Sequence, residues 1–201
     1  MSPASEAVVG AARAAAVGGS SRARTSLRRS DEALVRSVLA GSEADLEALF
    51  TRWWPRAYRT AYLIVHDHCT AEDIAQEAFV QAIRHLHRFD RRRRFAPWLG
   101  AIVANRAIDH ARARAARREA GPVSESIPAG GQPAPFGANG VMDALSDLRP
   151  EHRAVVVLRY VLEYTPGEIA RALDLPRGTV NSRLRRALDT LEARLGDEGA
   201  G

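Results

Sequence analysis

The stretch from residue 119 to residue 141 most constrains how this chain can fold. It holds four Pro and five Gly, and it interrupts the helical spacing of apolar residues on both of its sides. Pro lacks a backbone donor and Gly adds backbone freedom, so a helix or strand interior is disfavoured here. We therefore predict a flexible linker over residues 119–141 that divides the 201-residue chain into two domains with small cores.

Charge is distributed unevenly along the chain. All 29 basic residues are Arg, and the formal net charge is +5. Residues 31–90 carry six Arg against ten acids, whereas residues 91–118 carry nine Arg against one acid. Arg binds phosphate and guanine edges in a bidentate manner. An acidic segment beside a basic block predicts two different partners, one of them a polyanion.

Several classes of protein are disfavoured by composition. Cys69 is the single cysteine, so we expect neither an internal disulfide nor a cysteine-rich zinc site. No apolar run approaches the roughly 20 residues of a membrane span, and the N-terminus lacks the pattern of a signal peptide. Residues 1–30 have few large apolar side chains and read as a disordered tail. We expect a cytoplasmic protein without membrane insertion.

Apolar residues at helical spacing predict helices over residues 31–40, 46–65 and 71–89. Ser42 and Thr70 are the expected N-caps of the second and third helices. Pro55 lies inside the second helix, and we expect it to kink or interrupt that helix.

One face of the third predicted helix is polar and acidic. Asp73, Gln76, Glu77 and Val80 are three or four residues apart and therefore share a face. Such a face suits docking to a partner protein, although an ordinary solvated face would show the same pattern.

His66, Asp67, His68 and Cys69 could each bind zinc. They are adjacent in sequence, however, and no second ligand pair follows at helical spacing. They also fall where a loop must join two helices. We therefore expect a polar loop here, and no metal or cofactor.

The basic block combines arginines, aromatic residues and a predicted helix. Four consecutive Arg, residues 91–94, precede Phe95. Trp98, Asn105, Asp109 and Arg112 share one face of the helix that follows. A ring, an amide and a guanidinium can contact bases and phosphates. A solvated basic helix with a buried Trp remains the alternative.

The second half of the chain predicts a helix-turn-helix. Thr165 and Glu168 have the spacing of a capping box, with Pro166 at the first helical position. A turn at residues 174–176 leads into a longer helix with an apolar stripe. Short polar residues and arginines near the start of that helix are typical of a major-groove recognition helix.

Several motifs in order now resemble a family. They are Ala71-Glu-Asp-Ile-Ala-Gln-Glu-Ala-Phe79, Phe89-Asp90, Phe95-Ala-Pro-Trp-Leu99, Asn105-Arg-Ala-Ile-Asp-His110, Leu148-Arg-Pro-Glu-His-Arg-Ala-Val155, Leu158-Arg-Tyr160 and Gly178-Thr-Val-Asn-Ser-Arg-Leu-Arg-Arg-Ala187. Together they resemble sigma-70-family RNA polymerase sigma factors of the extracytoplasmic-function (ECF) group. The resemblance spans about residues 46–195, apart from the linker.

The resemblance implies an all-α fold of two small helical domains, the sigma region 2 bundle and the sigma region 4 helix-turn-helix, joined by a flexible linker. Region 2 would cover residues 31–118 and region 4 residues 142–196, with a short tail at residues 197–201. In the family the linker is threaded toward the polymerase active-site and RNA-exit channels. Asn181 departs from the Lys or Arg that is common at its position, and Pro176 from a polar N-cap. The promoter sequence is therefore left open.

The resemblance also implies which residues bind what. The residues implied to dock on core polymerase are Asp73, Ile74, Gln76, Glu77 and Val80. Those implied to read and melt the −10 element, with capture of a flipped base, are Phe89, Arg91, Arg92, Arg93, Arg94, Phe95, Trp98, Asn105, Asp109, Arg112 and Arg114. Those implied to read the −35 element are Arg177, Thr179, Asn181, Ser182, Arg183, Arg185 and Arg186.

The expected function is therefore that of a non-catalytic specificity subunit without a cofactor. Its implied partners are the β′ and β subunits of core RNA polymerase, promoter DNA and an anti-sigma factor. Two alternatives stay open at this point. One is a stand-alone helix-turn-helix regulator, and the other is a metal-dependent hydrolase that uses His66, His68 and Cys69.

Overall fold

The computed structural model describes residues 29–90, 92–119 and 139–198. Within these ranges the chain forms helices and no strand, which confirms the all-α prediction. The helices are α1 Asp31–Leu39, α2 Glu43–Val65, α3 His68–His85, a 3-10 turn Leu86–Arg88, α4 Phe95–Glu119, α5 Asn139–Asp147, α6 Pro150–Val156, a π-helical segment Val157–Val161, α7 Pro166–Ala172 and α8 Arg177–Glu198. None of them is long and apolar enough to cross a membrane.

The ends of the predicted linker are helical, because α4 continues to Glu119 and α5 begins at Asn139. The remainder of that linker lies outside the described residues, as do residues 1–28 of the predicted tail and residues 199–201. The last two residues of the predicted tail are described. There the Arg29 Nη1 lies 2.7 Å from Asp45 Oδ2, and the Ser30 side chain caps α1.

Side-chain caps set where the helices of the N-terminal domain (residues 29–119) begin. Ser42 caps α2 as predicted, accepting a hydrogen bond from the backbone N–H of Asp45. The predicted cap at Thr70 is wrong. Asp67 caps α3 instead, because its carboxylate accepts from the Thr70 N–H at 2.8 Å and its backbone is extended. The helix therefore begins three residues earlier than predicted, at His68.

Helix α2 is the centre of the N-terminal domain and packs against α1, α3 and α4. It runs through Pro55 without interruption, contrary to one of the two outcomes expected there. The Pro55 ring is exposed, so it displaces no core contact, while Phe50 and Ala57 on either side of it are buried and keep α2 packed in the core. Phe50, which is 1% exposed, lies 4.7 Å from Phe79 and 4.9 Å from Trp54 between ring centroids.

The C-terminal domain (residues 139–198) contains the predicted helix-turn-helix. Thr165 and Glu168 form a complete capping box at the start of α7. Ile169 on α7 and Val180 on α8 are fully buried, so the two helices share one core. Val157 and Leu158 are buried, whereas Val161 is only partly buried.

The two domains pack against each other through side chains that reach opposite backbones. The Arg153 Nη1 donates to the carbonyl of Ile64 at 2.6 Å, and the Arg56 Nη2 donates to that of Leu162 at 3.0 Å. The Tyr164 hydroxyl donates to the carbonyl of Ala96 at 2.8 Å. Burial raises the pKa of Tyr164 far above its usual value, so the phenol keeps its proton and remains a donor.

Candidate functional site

The acidic face of α3 is defined by Asp73, Gln76, Glu77 and Val80. Asp73 and Glu77 are exposed, while Gln76 and Val80 are partly buried. Ile74 is only 4% exposed and belongs to the core between the helices. Its predicted place among the docking residues is therefore corrected, because its side chain is on the inner side of α3.

Arg106 on α4 modifies this acidic face and was not among the predicted site residues. Its Nη1 lies 2.8 Å from Glu77 Oε2, and its Nε donates to Gln81 Oε1 at 3.0 Å. Both members of the ion pair are about half exposed. Asp73 keeps no such partner among the bonds that the structure records, so it is the more open of the two carboxylates. Sequence spacing along one helix cannot reveal a cation contributed by another.

Trp98 is supported by two buried phenylalanines. Phe89 and Phe95 are 7% and 2% exposed, and their ring centroids lie 4.9 and 5.6 Å from that of Trp98. They were predicted to contact DNA, but burial in the core prevents direct contact in this conformation. Their geometry instead positions the partly exposed indole of Trp98.

The arginines before α4 are exposed. The Arg93 Nε lies 3.7 Å from Asp90 Oδ2, and Arg92 and Arg94 are likewise on the surface. Arg91 lies outside the described residues. Arg93, Arg94 and Trp98 face α7 across a cleft of about 290 Å³, whose other charged walls are Glu168 and Arg171.

Two polar residues on the predicted DNA face of α4 contact the C-terminal domain. The Asn105 side-chain amide donates to the carbonyl of Ala172 at 2.9 Å, and the Arg112 Nε lies 2.5 Å from Glu151 Oε1. Partial burial raises the pKa of Glu151, but the hydrogen bond and charge of Arg112 outweigh it and leave that pKa below its usual value. Asp109 is exposed, as the predicted face requires.

Arg114 completes the predicted set on α4. It is partly buried, and its positive charge helps to lower the pKa of Asp67, after the larger effect of hydrogen bonds from Thr70. It therefore lies toward the α2–α3 junction of its own domain.

Helix α8 separates an apolar face from a polar one. Val180, Leu184 and Ala187 are buried. The predicted reading residues are exposed at Arg177, Asn181, Ser182, Arg185 and Arg186, and partly buried at Thr179 and Arg183. The outward face is strongly basic near its start.

The electrostatic potential around the basic face of α8 is positive. The pKa of His152 on α6 is lowered by burial and by the nearby charges of Arg183, Arg149 and Arg186. The guanidinium groups that cluster around His152 therefore form a surface that favours an anionic partner.

The histidines near the α2–α3 junction have local structural roles. His66 ends α2 in the left-handed conformation, with φ of 57°. His68 Nδ1 lies 2.5 Å from the Tyr58 hydroxyl, and its ring stacks on Tyr62 at 4.5 Å. Cys69 is exposed. Among the described residues, no group of three or more His, Cys, Asp or Glu side chains could hold a metal ion.

Comparison with known proteins gives two family matches. Residues 49–117 match sigma-70 region 2, and residues 139–191 match sigma-70 region 4. The chain is 31% identical over 163 residues to the RNA polymerase sigma factor CarQ of Myxococcus xanthus, covering 78% of this chain and 92% of CarQ. It is 30% identical over 179 residues to the ECF RNA polymerase sigma factor SigW of Bacillus subtilis, covering 81% of this chain and 95% of SigW.

Two solved structures share the fold. The sigma factor RpoE from Bartonella quintana, crystallised with the anti-sigma factor NepR, is 23% identical with a TM-score of 0.63, covering 76% of this chain and 97% of RpoE. CnrH, in complex with the cytosolic domain of CnrY, is 25% identical with a TM-score of 0.61, covering 83% of this chain and 97% of CnrH. These matches do not favour a stand-alone regulator. The chain belongs to the sigma-70 family and is an RNA polymerase sigma factor of the ECF group.

Proposed function

We propose that this chain is a non-catalytic, cofactor-free specificity subunit that binds core RNA polymerase through the acidic face of α3 and reads promoter DNA through α4 and α8. The observation that carries the proposal is the segregation of charge between exposed surfaces. Asp73 and Glu77 stand exposed on one helix, whereas Arg177, Arg185 and Arg186 stand exposed on another. The first surface suits a basic protein partner and the second suits a polyanion.

The proposed polymerase interface is tested by substitutions confined to the acidic face of α3. Asp73→Asn combined with Glu77→Gln removes two exposed carboxylates without changing their shape. Glu43→Gln combined with Glu192→Gln is the matched control, because these acids are also exposed but lie on α2 and α8. We expect the first pair to abolish capture by core polymerase in a pull-down and the second to leave it intact. Equal capture by both variants would refute the assignment.

The −35 reading is tested by transcription. We expect run-off transcription with core polymerase on a genomic promoter pool to select one promoter class. If Arg185 reads a guanine edge, Arg185→Ala should weaken selection at one base pair by about 1–3 kcal/mol. If Arg177 contacts only phosphate, Arg177→Ala should weaken all sequences alike and lower the salt dependence. A pool transcribed without selection would contradict the proposal.

The −10 reading depends on Trp98 and the exposed arginines beside it. A base flipped out of the duplex loses stacking, and an aromatic ring can restore about 1–3 kcal/mol of it. We expect Trp98→Ala to weaken binding of single-stranded −10 DNA by about that amount. Phe89→Leu should have a smaller effect on the same DNA, because Phe89 is buried beneath the indole and is only 7% exposed. The reverse order of effects would refute the role of Trp98.

An anti-sigma protein is the further partner that we propose. RpoE and CnrH, which share this fold, were each solved in a complex, the former with the anti-sigma factor NepR and the latter with the cytosolic domain of CnrY. Core polymerase and the chromosome place the proposed activity in the cytoplasm. Tight binding to duplex promoter DNA without polymerase would instead support the stand-alone regulator.

A further inference from the structure

Arg106 reaches from α4 to α3 and contacts an acid of the surface that we propose binds core polymerase. Its Nη1 donates to Glu77 Oε2 at 2.8 Å, and its Nε donates to Gln81 Oε1 at 3.0 Å. Glu77 and Gln81 are four residues apart on α3, so one guanidinium spans a full turn of that helix. The chain therefore places a cation of its own against the acidic face of α3.

The cleft between α3 and α4 gathers other acids around this guanidinium. Asp73 and Glu77 line it from α3, Arg106 and Asp109 line it from α4, and its volume is about 380 Å³. Three carboxylates and one guanidinium give these four side chains a net charge of −2, which would be −3 without Arg106. Arg106 therefore cancels a third of the negative charge that a basic partner meets here.

Arg106 occupies the position that a basic side chain of a partner would take against Glu77. Two cations beside one carboxylate repel each other, so the incoming cation binds best once Arg106 has moved away. Arg106 is 44% exposed and Glu77 is 59% exposed, and an ion pair that is open to water contributes little to stability. Breaking the pair therefore costs little.

Asp109 offers the displaced guanidinium another carboxylate. It lies three residues after Arg106 on α4, a spacing at which side chains on one helix meet, and it lines the same cleft. Asp109 is exposed, so its carboxylate can be reached without disturbing the core. A change of side-chain rotamer can thus move Arg106 from Glu77 to Asp109 while both helices stay in place.

We propose that Arg106 is an intramolecular competitor for Glu77, and that a basic side chain of core polymerase displaces it onto Asp109 when the complex forms. The inference rests on the proposed role of the acidic face of α3 in binding polymerase. It goes beyond that role by giving two residues of α4 control over the affinity. It also moves Asp109 from the DNA-reading set to the protein interface.

The expected effect of removing Arg106 is modest and depends on salt. Arg106→Gln should lower the dissociation constant for core polymerase about twofold to fivefold, the range that exposed ion pairs span. A charge at the edge of an interface acts mainly on the association rate. The gain should therefore appear in that rate and shrink at about 500 mM salt, where screening shortens the reach of the charge.

Surface plasmon resonance of the full chain with core polymerase measures these rates. Arg36→Gln is the matched control for Arg106→Gln, because Arg36 is exposed on α1 and the substitution removes the same charge. We expect Arg36→Gln to bind like the parent chain. Arg106→Lys keeps the charge but lacks the planar fork that contacts Glu77 and Gln81 together, so its affinity should lie between those of the parent and Arg106→Gln.

Asp109→Asn tests the displacement step. It removes the acceptor for the displaced guanidinium, so it should weaken polymerase binding about twofold to fivefold in the parent chain. In the Arg106→Gln background the same substitution should have no effect, because no guanidinium then needs that acceptor. Plain loss of a negative charge would instead weaken binding equally in both backgrounds. Binding of single-stranded −10 DNA should not change.

Each other outcome overturns a defined step. Unchanged or weaker polymerase binding by Arg106→Gln would overturn the competition while leaving the interface in place. Equal effects of Asp109→Asn in the two backgrounds would overturn the displacement, and altered −10 DNA binding would return Asp109 to the DNA-reading set. If Asp73→Asn combined with Glu77→Gln binds polymerase like the parent chain, the proposed interface itself fails and the competition fails with it.

Discussion

Arg153 is the residue whose removal should destabilise this fold most through polar contacts. It is 8% exposed and donates to four backbone carbonyls. The acceptors and distances are Leu145 at 2.7 Å, Ser146 at 2.7 Å, Leu148 at 2.9 Å and Ile64 at 2.6 Å. Burial lowers the pKa of Arg153 to about 10, so the guanidinium stays charged at neutral pH.

The expected loss can be worked from these bonds. Arg153→Met keeps most of the apolar stem but leaves four carbonyls without their donor. A buried acceptor that loses its partner costs about 1 kcal/mol at the low end of measured values. Three of the four bonds are buried and the bond to Ser146 is partly buried, so their loss predicts a decrease of about 3–4 kcal/mol in the free energy of unfolding, against a total of about 5–15 kcal/mol for typical domains.

Urea denaturation followed by circular dichroism measures this loss. Arg153→Lys keeps the charge but has fewer donors, so about half the loss is expected. Arg149→Met is the matched control, because Arg149 precedes the same helix but is exposed, and it should change stability by less than about 0.5 kcal/mol. A loss below about 1 kcal/mol for Arg153→Met would show that water or a relaxed backbone replaces the guanidinium.

Two further predictions concern a titrating side chain and a cap. Burial, and then the charge of Arg153, lower the pKa of His66 from 6.5 to about 4, so its neutral form is favoured by folding. The corresponding stability, up to about 3 kcal/mol, is present above pH 6.5 and lost as pH falls toward 4. Asn tolerates the left-handed backbone but does not titrate, so His66→Asn should make the denaturation midpoint depend less on pH between pH 6.5 and 4. The same dependence on pH in the variant and in the parent chain would contradict this. Thr165→Ala removes the capping box with Glu168 and should cost about 1 kcal/mol, seen as a lower melting temperature, whereas an unaltered melting temperature would mean that Pro166 alone sets the start of α7.

Helices and most caps were predictable because their causes are local. The capping box at Thr165 and the cap at Ser42 each depend on residues three apart. The same reasoning failed at the start of α3, where Asp67 and Thr70 are both good caps three residues apart. The structure uses Asp67 as acceptor and Thr70 as donor, a choice that spacing alone does not decide.

Burial was harder to predict outside regular helices. Phe89 follows a 3-10 turn and Phe95 begins α4, so neither position has a helical period that assigns it to a face. Both were predicted to contact DNA by resemblance, and both are buried around Trp98. Ile74 was likewise assigned to a partner surface by the resemblance, yet it is 4% exposed and packs in the core on the inner side of α3.

Contacts between the two domains could not be predicted from the sequence, because their partners are far apart along the chain. The Tyr164 and Ala96 pair is separated by 68 residues, and the Arg56 and Leu162 pair by 106. Tyr164 precedes the N-cap of α7, a position from which an apolar side chain commonly packs on its own helix. Here its hydroxyl reaches α4 instead. It fits there because Gly100 has no side chain, since a Cβ built on Gly100 would overlap the Tyr164 hydroxyl. The spacing of apolar residues cannot predict this contact, because Gly100 contributes no side-chain atom to it. The packing of the two domains at this point therefore depends on complementary shape and not on helical periodicity. Gly100→Ala, which adds one methyl group, tests it directly.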